Sequence, residues 1–175
     1  MLEKYDVKLD YQLNDGETLF PNSPYLNLYG YLKELDYSGN GYPPLPDNYV
    51  RVDAFMRQTG DEDSSTSTLP EEVTRLSGDK VIYFSLGSLG SVDVELMLKV
   101  ARMLTKERKY KVIVSKGPLG ETYELPENAW GESFLPQTKL LPLVDLVVTH
   151  GGNNTVTEAL SFGRPLIVLP LFGDQ

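Results

Sequence analysis

The sequence contains no cysteine and, among its 175 residues, a single histidine, His150. The first absence excludes disulfides and thiolate metal sites, and the second excludes a metal site built from several histidines. No apolar run approaches the ~20 residues that span a bilayer, and residues 1–10 (MLEKYDVKLD) carry charges where a signal peptide has its apolar stretch. We therefore expect a soluble chain without a membrane segment. The absence of cysteine leaves its compartment open, and we favour the cytoplasm.

Basic residues are also scarce, since 16 Lys and Arg face 25 Asp and Glu, for a net charge of −9. This balance opposes binding to phosphate backbones through counterion release, so no nucleic-acid partner is expected. The hydrophobic fraction of 41% is enough for a packed core, and the length allows one domain with a substantial extra segment.

The chain divides into two halves of different texture. Residues 1–79 are rich in Tyr, Pro, Asn, Gly and Asp, with short strands predicted at 25–32 and 49–55. Residues 60–68 (GDEDSSTST) have no apolar anchor and predict an exposed loop. We interpret 1–79 as the end of one domain with an interdomain segment, and 80–175 as a nucleotide-binding domain.

The second half alternates short apolar runs with helical patterns. Strands are predicted at 81–85, 112–114, 130–135, 144–149 and 166–169, and helices at 94–104 and 153–162. Such alternation indicates an α/β fold, a parallel sheet with helices on both faces.

A glycine-rich turn follows the first of these strands, in residues 85–91 (SLGSLGS). Its glycines let backbone amides face an anion at a helix N-terminus, and the hydroxyl of Ser88 can add a hydrogen bond to phosphate. The spacing matches neither G-x-x-x-x-G-K-[ST] nor G-x-G-x-x-G. A simple tight turn explains the segment about as well as an anion site.

A second turn of this kind occupies residues 149–158 (THGGNNTVTE). Two glycines allow close backbone approach, Asn153 or Asn154 can cap the helix, and the first-turn amides with Thr155 suit a diphosphate. Glu158 lies one helical turn further on the same side, where a carboxylate suits the paired hydroxyls of a ribose.

Each of these residues also has an ordinary structural explanation. A lone histidine after a strand is commonly a structural residue, and asparagine caps are widespread. The unit nevertheless contains two strand-to-helix turns whose backbone amides could bind an anion, and this combination favours nucleotide binding.

Three separated segments resemble the signature of the family 1 UDP-glycosyltransferases, the UDP-glucuronosyl and UDP-glucosyl transferases. They are residues 134–137 (FLPQ), 149–158 and 170–175 (PLFGDQ), and the last is similar to the animal form of that motif. Residues 25–29 and 35–37 also look like the segment that leads into the family's donor domain, and residues 85–88 look like its first turn. The resemblance covers most of the chain, and several elements occur in the family's order.

The resemblance implies a GT-B architecture of two Rossmann-like domains, of which this chain would hold one, incomplete at both ends. It implies that Gln137 contacts the base through its main chain, with Phe134 at the stacking position. The diphosphate would be bound by His150, the Gly152 turn, Asn154, Thr155 and Ser88. Glu158 would bind the ribose, and Asp174 and Gln175 would bind the sugar of UDP-glucose or UDP-glucuronic acid.

The resemblance further implies inverting transfer, without a metal, to a hydroxyl of a small lipophilic acceptor. The family's general base is a histidine near the start of the acceptor domain, whereas His150 falls on the diphosphate motif. We therefore assign no catalytic residue in this chain and expect the isolated chain to be inactive. Plant members have tryptophan where Phe134 and Asn153 stand, and some animal members have a C-terminal membrane anchor. A sugar-nucleotide-binding fragment without activity, and a GT-B enzyme for another nucleotide, remain alternatives.

Overall fold

The computed structural model describes residues 23–30, 32–35, 44–53, 70–76 and 78–171, which belong to two compact units, Met1–Ala54 and Phe55–Gln175. In the first unit, strands β1 (Asn27–Tyr29) and β2 (Tyr49–Arg51) pair in parallel, with Asn27 opposite Tyr49. Both are shorter than predicted, and their apolar side chains Leu28 and Val50 are exposed. The predicted loop at 60–68 lies outside the described residues.

The second unit carries the remaining strands and helices. They are α1 (Glu71–Arg75), β3 (Lys80–Ser85), α2 (Gly87–Gly90), α3 (Val94–Leu104), β4 (Tyr110–Ser115), β5 (Ala129–Glu132), α4 (Gln137–Leu140), β6 (Leu146–Thr149), α5 (Asn153–Ser161) and β7 (Leu166–Val168). Two 3₁₀ turns, Gly120–Thr122 and Leu141–Leu143, complete it, and Lys33–Leu35 forms a third in the first unit.

The five strands of this unit form one parallel sheet in the order β5-β4-β3-β6-β7. The chain runs outward from β3 through β4 to β5 and then returns to the other side of β3 as β6. In an open α/β sheet, the crevice at the carboxyl ends of two strands where the order reverses is the usual ligand site. Here that crevice lies beyond Ser85 and Thr149, which are paired across β3 and β6.

Both faces of the sheet are covered, as the alternation of side chains along β3 requires. Tyr83 packs in one buried cluster with Val73 of α1 and Ala159 of α5. Phe84 packs in the other with Met97 of α3. The predicted α/β fold with helices on both faces is thus confirmed.

The sequence predictions were wrong in two respects, the extent of one strand and the number of helices. The strand predicted at 130–135 is Ala129–Glu132, because the ladder with β4 ends where Ser115 pairs with Glu132 and the chain then turns at Ser133. Three helices of four or five residues, α1, α2 and α4, were missed because fewer than two turns show no periodicity. In the part of the chain that the structure describes, no helix has the length and apolarity to cross a membrane.

Asp145, just before β6, links that strand to β3. Its carboxylate accepts hydrogen bonds from the backbone N–H of Val81 and the ammonium of Lys80, both at 2.8 Å. The hydrogen bond from Lys80 and that from Val81 hold the pKa of Asp145 below its ordinary 3.8. Because the Lys80 side chain is 63% exposed, solvent screens the ion pair, and the backbone bond matters more.

We predict that Asp145→Asn lowers the free energy of unfolding by about 1 kcal/mol at pH 7. A carboxyl group whose folded pKa is depressed stabilises the fold above its unfolded pKa, and this contribution is lost as pH falls through the folded value. The difference in free energy of unfolding between the two proteins, measured by urea denaturation, should therefore begin to shrink at about pH 3.8 and disappear only below the folded pKa. Asp79→Asn, a change at the neighbouring carboxylate, is the control, and a pH-independent difference would contradict the assignment.

Candidate functional site

Two adjoining cavities lie at the carboxyl ends of the parallel strands. We call the first the tyrosine cavity; its volume is about 290 Å³ and it is lined by Tyr83, Ser85, Gly87, Ser88, Ser115, Gly117, Ser133, Phe134, Leu135, Gln137, Asn154, Thr155 and Glu158. The second, the histidine cavity, measures about 330 Å³ and is lined by Gly87, Ser88, Leu89, His150, Gly152, Asn153, Asn154 and Thr155. The two cavities share four lining residues and therefore adjoin one another.

The histidine cavity contains the N-terminus of α5. Gly152 is the N-cap residue and no side chain caps the helix, so the predicted capping by Asn153 or Asn154 was wrong. Asn153 instead accepts a hydrogen bond from the hydroxyl of Thr157 at 3.3 Å. In contrast, the Asp93 carboxylate caps α3 by accepting from the Leu96 N–H. The first-turn amides and the positive end of the dipole at α5 therefore suit an anion.

His150 lies between the two glycine-rich turns, in contact with both. A Cβ placed on Gly87 would lie 2.7 Å from the imidazole Cε1, and one on Gly152 would lie 2.5 Å from Nε2. Gly87 also has a φ of +65°, which disfavours any other residue. The ring can occupy this position only because both neighbours lack a side chain.

The environment of His150 keeps the ring neutral near pH 7. Burial lowers the pKa of His150 below its ordinary 6.5, although a hydrogen bond with the backbone of Ser85 acts in the opposite direction. A neutral imidazole has one N–H donor and one acceptor nitrogen. The residue therefore suits a hydrogen-bonding role rather than that of a permanent cation.

The tyrosine cavity contains a chain of hydrogen bonds that ends on Glu158. The Tyr83 hydroxyl donates to Gln137 Oε1 at 3.1 Å, and Gln137 Nε2 donates to Glu158 Oε2 at 2.6 Å. Thr155 Oγ1 also approaches Gln137 Oε1, at 3.4 Å. Glu158 is only 4% exposed, whereas the Phe134 ring at the cavity rim is 74% exposed. The site thus combines a buried carboxylate with an accessible aromatic face.

The structure brings eight of the ten predicted site residues together in these cavities. Around the histidine cavity lie Ser88, His150, Gly152, Asn154 and Thr155. Lining the tyrosine cavity are Phe134, Gln137 and Glu158. Asp174 and Gln175 lie outside the described residues. Within those described, no group of three or more His, Asp or Glu is placed to hold a metal ion.

Several residues of the tyrosine cavity were not predicted. Ser85 and Ser115 are the last residues of β3 and β4, and Ser133 follows β5 directly. A rule that polar residues ending parallel strands share one edge would have found Ser85 and Ser115 from sequence, but not Ser133, which lies inside the strand predicted at 130–135. Tyr83 gave no such signal, because its hydroxyl donates to Gln137, 54 positions away at the start of α4.

The parallel sheet and its helices match part of the GT-B fold. The spinosyn rhamnosyltransferase SpnG superposes with a TM-score of 0.62 over 88% of this chain and 39% of its own, at 20% identity. The glycosyltransferase of kitacinnamycin gives 0.57 over 73% of this chain and 32% of its own, at 24% identity. At such identities these likenesses establish the fold alone.

Sequence comparison identifies the family. Residues 52–175 match the family described as UDP-glucoronosyl and UDP-glucosyl transferase, and the chain belongs to it. The uncharacterized UDP-glucosyltransferase YojK of Bacillus subtilis is 28% identical over 142 residues, 79% of this chain and 34% of that protein. The sterol 3-beta-glucosyltransferase of Pichia angusta is 32% identical over 149 residues, 77% of this chain and 12% of that protein. The chain thus spans about a third or less of the length of these relatives.

Proposed function

We propose that this chain is the donor-binding part of an enzyme that transfers a hexose from a UDP-sugar to a hydroxyl of a small lipophilic acceptor, with inversion. One observation carries the proposal. The uncapped N-terminus of α5 and His150 face one cavity, and the adjoining cavity holds the buried carboxylate of Glu158. A cavity suited to an anion would take a diphosphate, and an adjoining cavity that contains a carboxylate would take the hydroxyls of the ribose joined to it.

In this proposal the histidine cavity takes the diphosphate. The amides of the first turn of α5 donate to phosphate oxygens, as free helix N-termini do. His150 donates a further hydrogen bond, and Asn154, Thr155 and Ser88 supply polar groups from the rim shared by the two cavities. These preorganised donors also stabilise the negative charge that grows on the leaving UDP.

The tyrosine cavity takes the nucleoside. Glu158 accepts hydrogen bonds from the ribose hydroxyls, for which an acceptor-only carboxylate is suited. Phe134 offers its exposed ring to the base, and the Gln137 side chain is engaged with Glu158, which leaves its main chain for the base contact.

Asp174 and Gln175 are proposed to select the sugar, and the names of the relatives favour glucose. YojK is a UDP-glucosyltransferase, and the Pichia angusta enzyme is a sterol 3-beta-glucosyltransferase, whose acceptor is a lipophilic alcohol. The acceptor oxygen attacks the anomeric carbon, a new C–O bond forms, and the bond to the β-phosphate oxygen breaks as UDP leaves with the electron pair. The hydroxyl proton passes to a base of the acceptor domain.

Calorimetric titration of the 175-residue chain tests the donor site. UDP should bind more tightly than ADP or GDP, and UDP-glucose more tightly than UDP-glucuronic acid. Stronger binding of ADP or GDP would favour a GT-B enzyme for another nucleotide. Transfer of radiolabelled glucose from UDP-glucose to a sterol by this chain alone would contradict its assignment as a donor-binding part.

We predict that His150→Ala weakens UDP and pyrophosphate binding about tenfold, which corresponds to one lost hydrogen bond to a charged group. Because the ring is only partly buried, thermal unfolding should shift little. His150→Asn, which keeps a donor, serves as the matched variant and should recover part of the affinity. Unchanged binding with a large loss of stability would instead make His150 a structural residue.

One observation favours a second candidate, a module that binds the sugar nucleotide without transferring the sugar. The only histidine of the sequence lies in the histidine cavity, where the diphosphate is proposed to bind, and not on an acceptor site. This candidate predicts UDP binding without hydrolysis or transfer of UDP-glucose. Release of labelled glucose to water or acceptor would rule it out.

A further inference from the structure

The hydrogen-bond chain beneath the tyrosine cavity joins three elements that are far apart in sequence. Tyr83 is in the middle of β3, Gln137 is the first residue of α4, and Glu158 is in α5. Tyr83 is 1% exposed and packs in the same cluster as Ala159, the neighbour of Glu158. The phenol is thus fixed by the core, while its hydroxyl reaches the site.

The carboxylate determines how the Gln137 amide is oriented. A carboxylate only accepts hydrogen bonds, so the amide nitrogen must face Glu158 Oε2, from which it is 2.6 Å. The amide oxygen must then face Tyr83, at 3.1 Å, and Thr155, at 3.4 Å. Both of these groups are hydroxyls that can donate. A flipped amide would place its oxygen against the carboxylate, an arrangement that is repulsive.

Tyr83 is the stronger of the two groups that hold the amide oxygen. Its hydroxyl is nearer than that of Thr155, and its side chain is locked by packing. Burial raises the pKa of Tyr83 to about 12, although the hydroxyls of Ser115 and Ser85 act in the opposite direction. The phenol therefore remains a protonated donor throughout the physiological pH range.

We propose that Tyr83 and the side chain of Gln137 are positioning residues that aim the Glu158 carboxylate at the ribose hydroxyls of the bound nucleotide. This inference rests on the proposed donor site. The amide ties down Oε2, and the carboxyl group faces the cavity with its rotamer already selected. Preorganisation of this kind increases affinity because the side chain loses less freedom on binding. Discrimination between ribose and deoxyribose then depends on a phenol that need not touch the ligand.

The test compares UDP with 2′-deoxy-UDP by calorimetry on the full chain. The wild type should bind UDP at least about tenfold more tightly, as expected for a hydrogen bond to a charged group. Tyr83→Phe should lower the ratio of UDP affinity to 2′-deoxy-UDP affinity about three- to tenfold, and it should change the affinity for 2′-deoxy-UDP itself by less than about twofold. Tyr123→Phe is the matched control. Tyr123 belongs to the other core cluster, and its hydroxyl donates to the Lys116 carbonyl at 3.1 Å. Removing this hydroxyl should leave the ratio of UDP to 2′-deoxy-UDP affinity unchanged.

Gln137→Met provides a second variant in case Tyr83→Phe does not fold, since it keeps the main chain and removes the amide. It should narrow the ratio at least as much as Tyr83→Phe. The double variant should be no worse than Gln137→Met alone, because residues that act through one another are not additive. Thermal melts of each variant report whether it is folded.

The outcomes separate the inference from the function on which it rests. If the wild type does not bind UDP, the proposed donor site is wrong, and the inference fails with it. If the wild type prefers UDP over 2′-deoxy-UDP but Tyr83→Phe and Gln137→Met keep that preference, the inference alone is overturned. The inference is also overturned if the losses of UDP preference add in the double variant, or if Tyr123→Phe lowers the preference for UDP over 2′-deoxy-UDP as much as Tyr83→Phe does. Either result would make Tyr83 a packing residue.

Discussion

Replacing Glu158 with alanine should weaken UDP binding about 30- to 100-fold while leaving pyrophosphate binding within about twofold of the wild type. Two hydrogen bonds from ribose hydroxyls to a carboxylate would be lost, and bonds to charged groups contribute about twice as much as neutral ones. Pyrophosphate would occupy only the histidine cavity, which Glu158 does not line. Calorimetry with both ligands measures the difference within a single protein.

Glu158→Ala also removes the acceptor of the hydrogen bond from the Gln137 amide. This loss occurs in a buried position, since the Glu158 side chain is only 4% exposed. Glu158→Gln is therefore the companion variant, because it keeps the shape and an acceptor oxygen but removes the charge. We expect it to fall between the wild type and Glu158→Ala in UDP affinity. Equal losses for UDP and pyrophosphate in either variant would contradict the ribose contact and indicate a general disruption of α5.

Replacing Gly87 with alanine should weaken UDP and pyrophosphate alike, by about ten- to thirtyfold, which corresponds to the loss of at least one hydrogen bond to a charged group. The new Cβ would lie 2.7 Å from His150 Cε1, so the ring must leave its position beside the α5 N-terminus. Gly87 has a φ of +65°, so the backbone strain adds about 1 kcal/mol of destabilisation.

The chain offers a close control for this prediction in Gly163. Its φ is +62°, nearly that of Gly87, yet a Cβ there would meet no atom within 4 Å. Gly163→Ala should therefore cost about the same stability in thermal melts and leave nucleotide binding unchanged. Similar binding losses in both variants would show that the Gly87 effect comes from backbone strain and not from displacement of His150.

The prediction of the fold succeeded where apolar runs were long enough to show a period. The strand at Lys80–Ser85 and the helix at Val94–Leu104 were found because apolar side chains recur along them. The same reasoning failed at α4, where four residues contain too little pattern. It also failed at the N-terminus of α5, where asparagines that favour caps do not cap.

The family motifs fixed which residues belong to the candidate site, but not the interactions among them. His150 and Glu158 could be named from their places in a strand-to-helix turn, and Gln137 from the resemblance to the family. The structure places all three at one edge of the sheet. The partners of Gln137 could not be named, because they come from β3 and α5.

The sequence by itself determined the parallel α/β architecture, the two glycine-rich turns and the family, because all three depend on local composition, periodicity and spacing. Only the tertiary structure decided that His150 is enclosed by Gly87 and Gly152, and that Tyr83 reaches Glu158 through Gln137. Apart from the contact between His150 and nearby Gly152, these contacts join residues 21 to 63 positions apart, from Gln137–Glu158 to Gly87–His150. They arise from the strand order β5-β4-β3-β6-β7, which brings β3 and β6 side by side and gathers their carboxyl ends into one crevice.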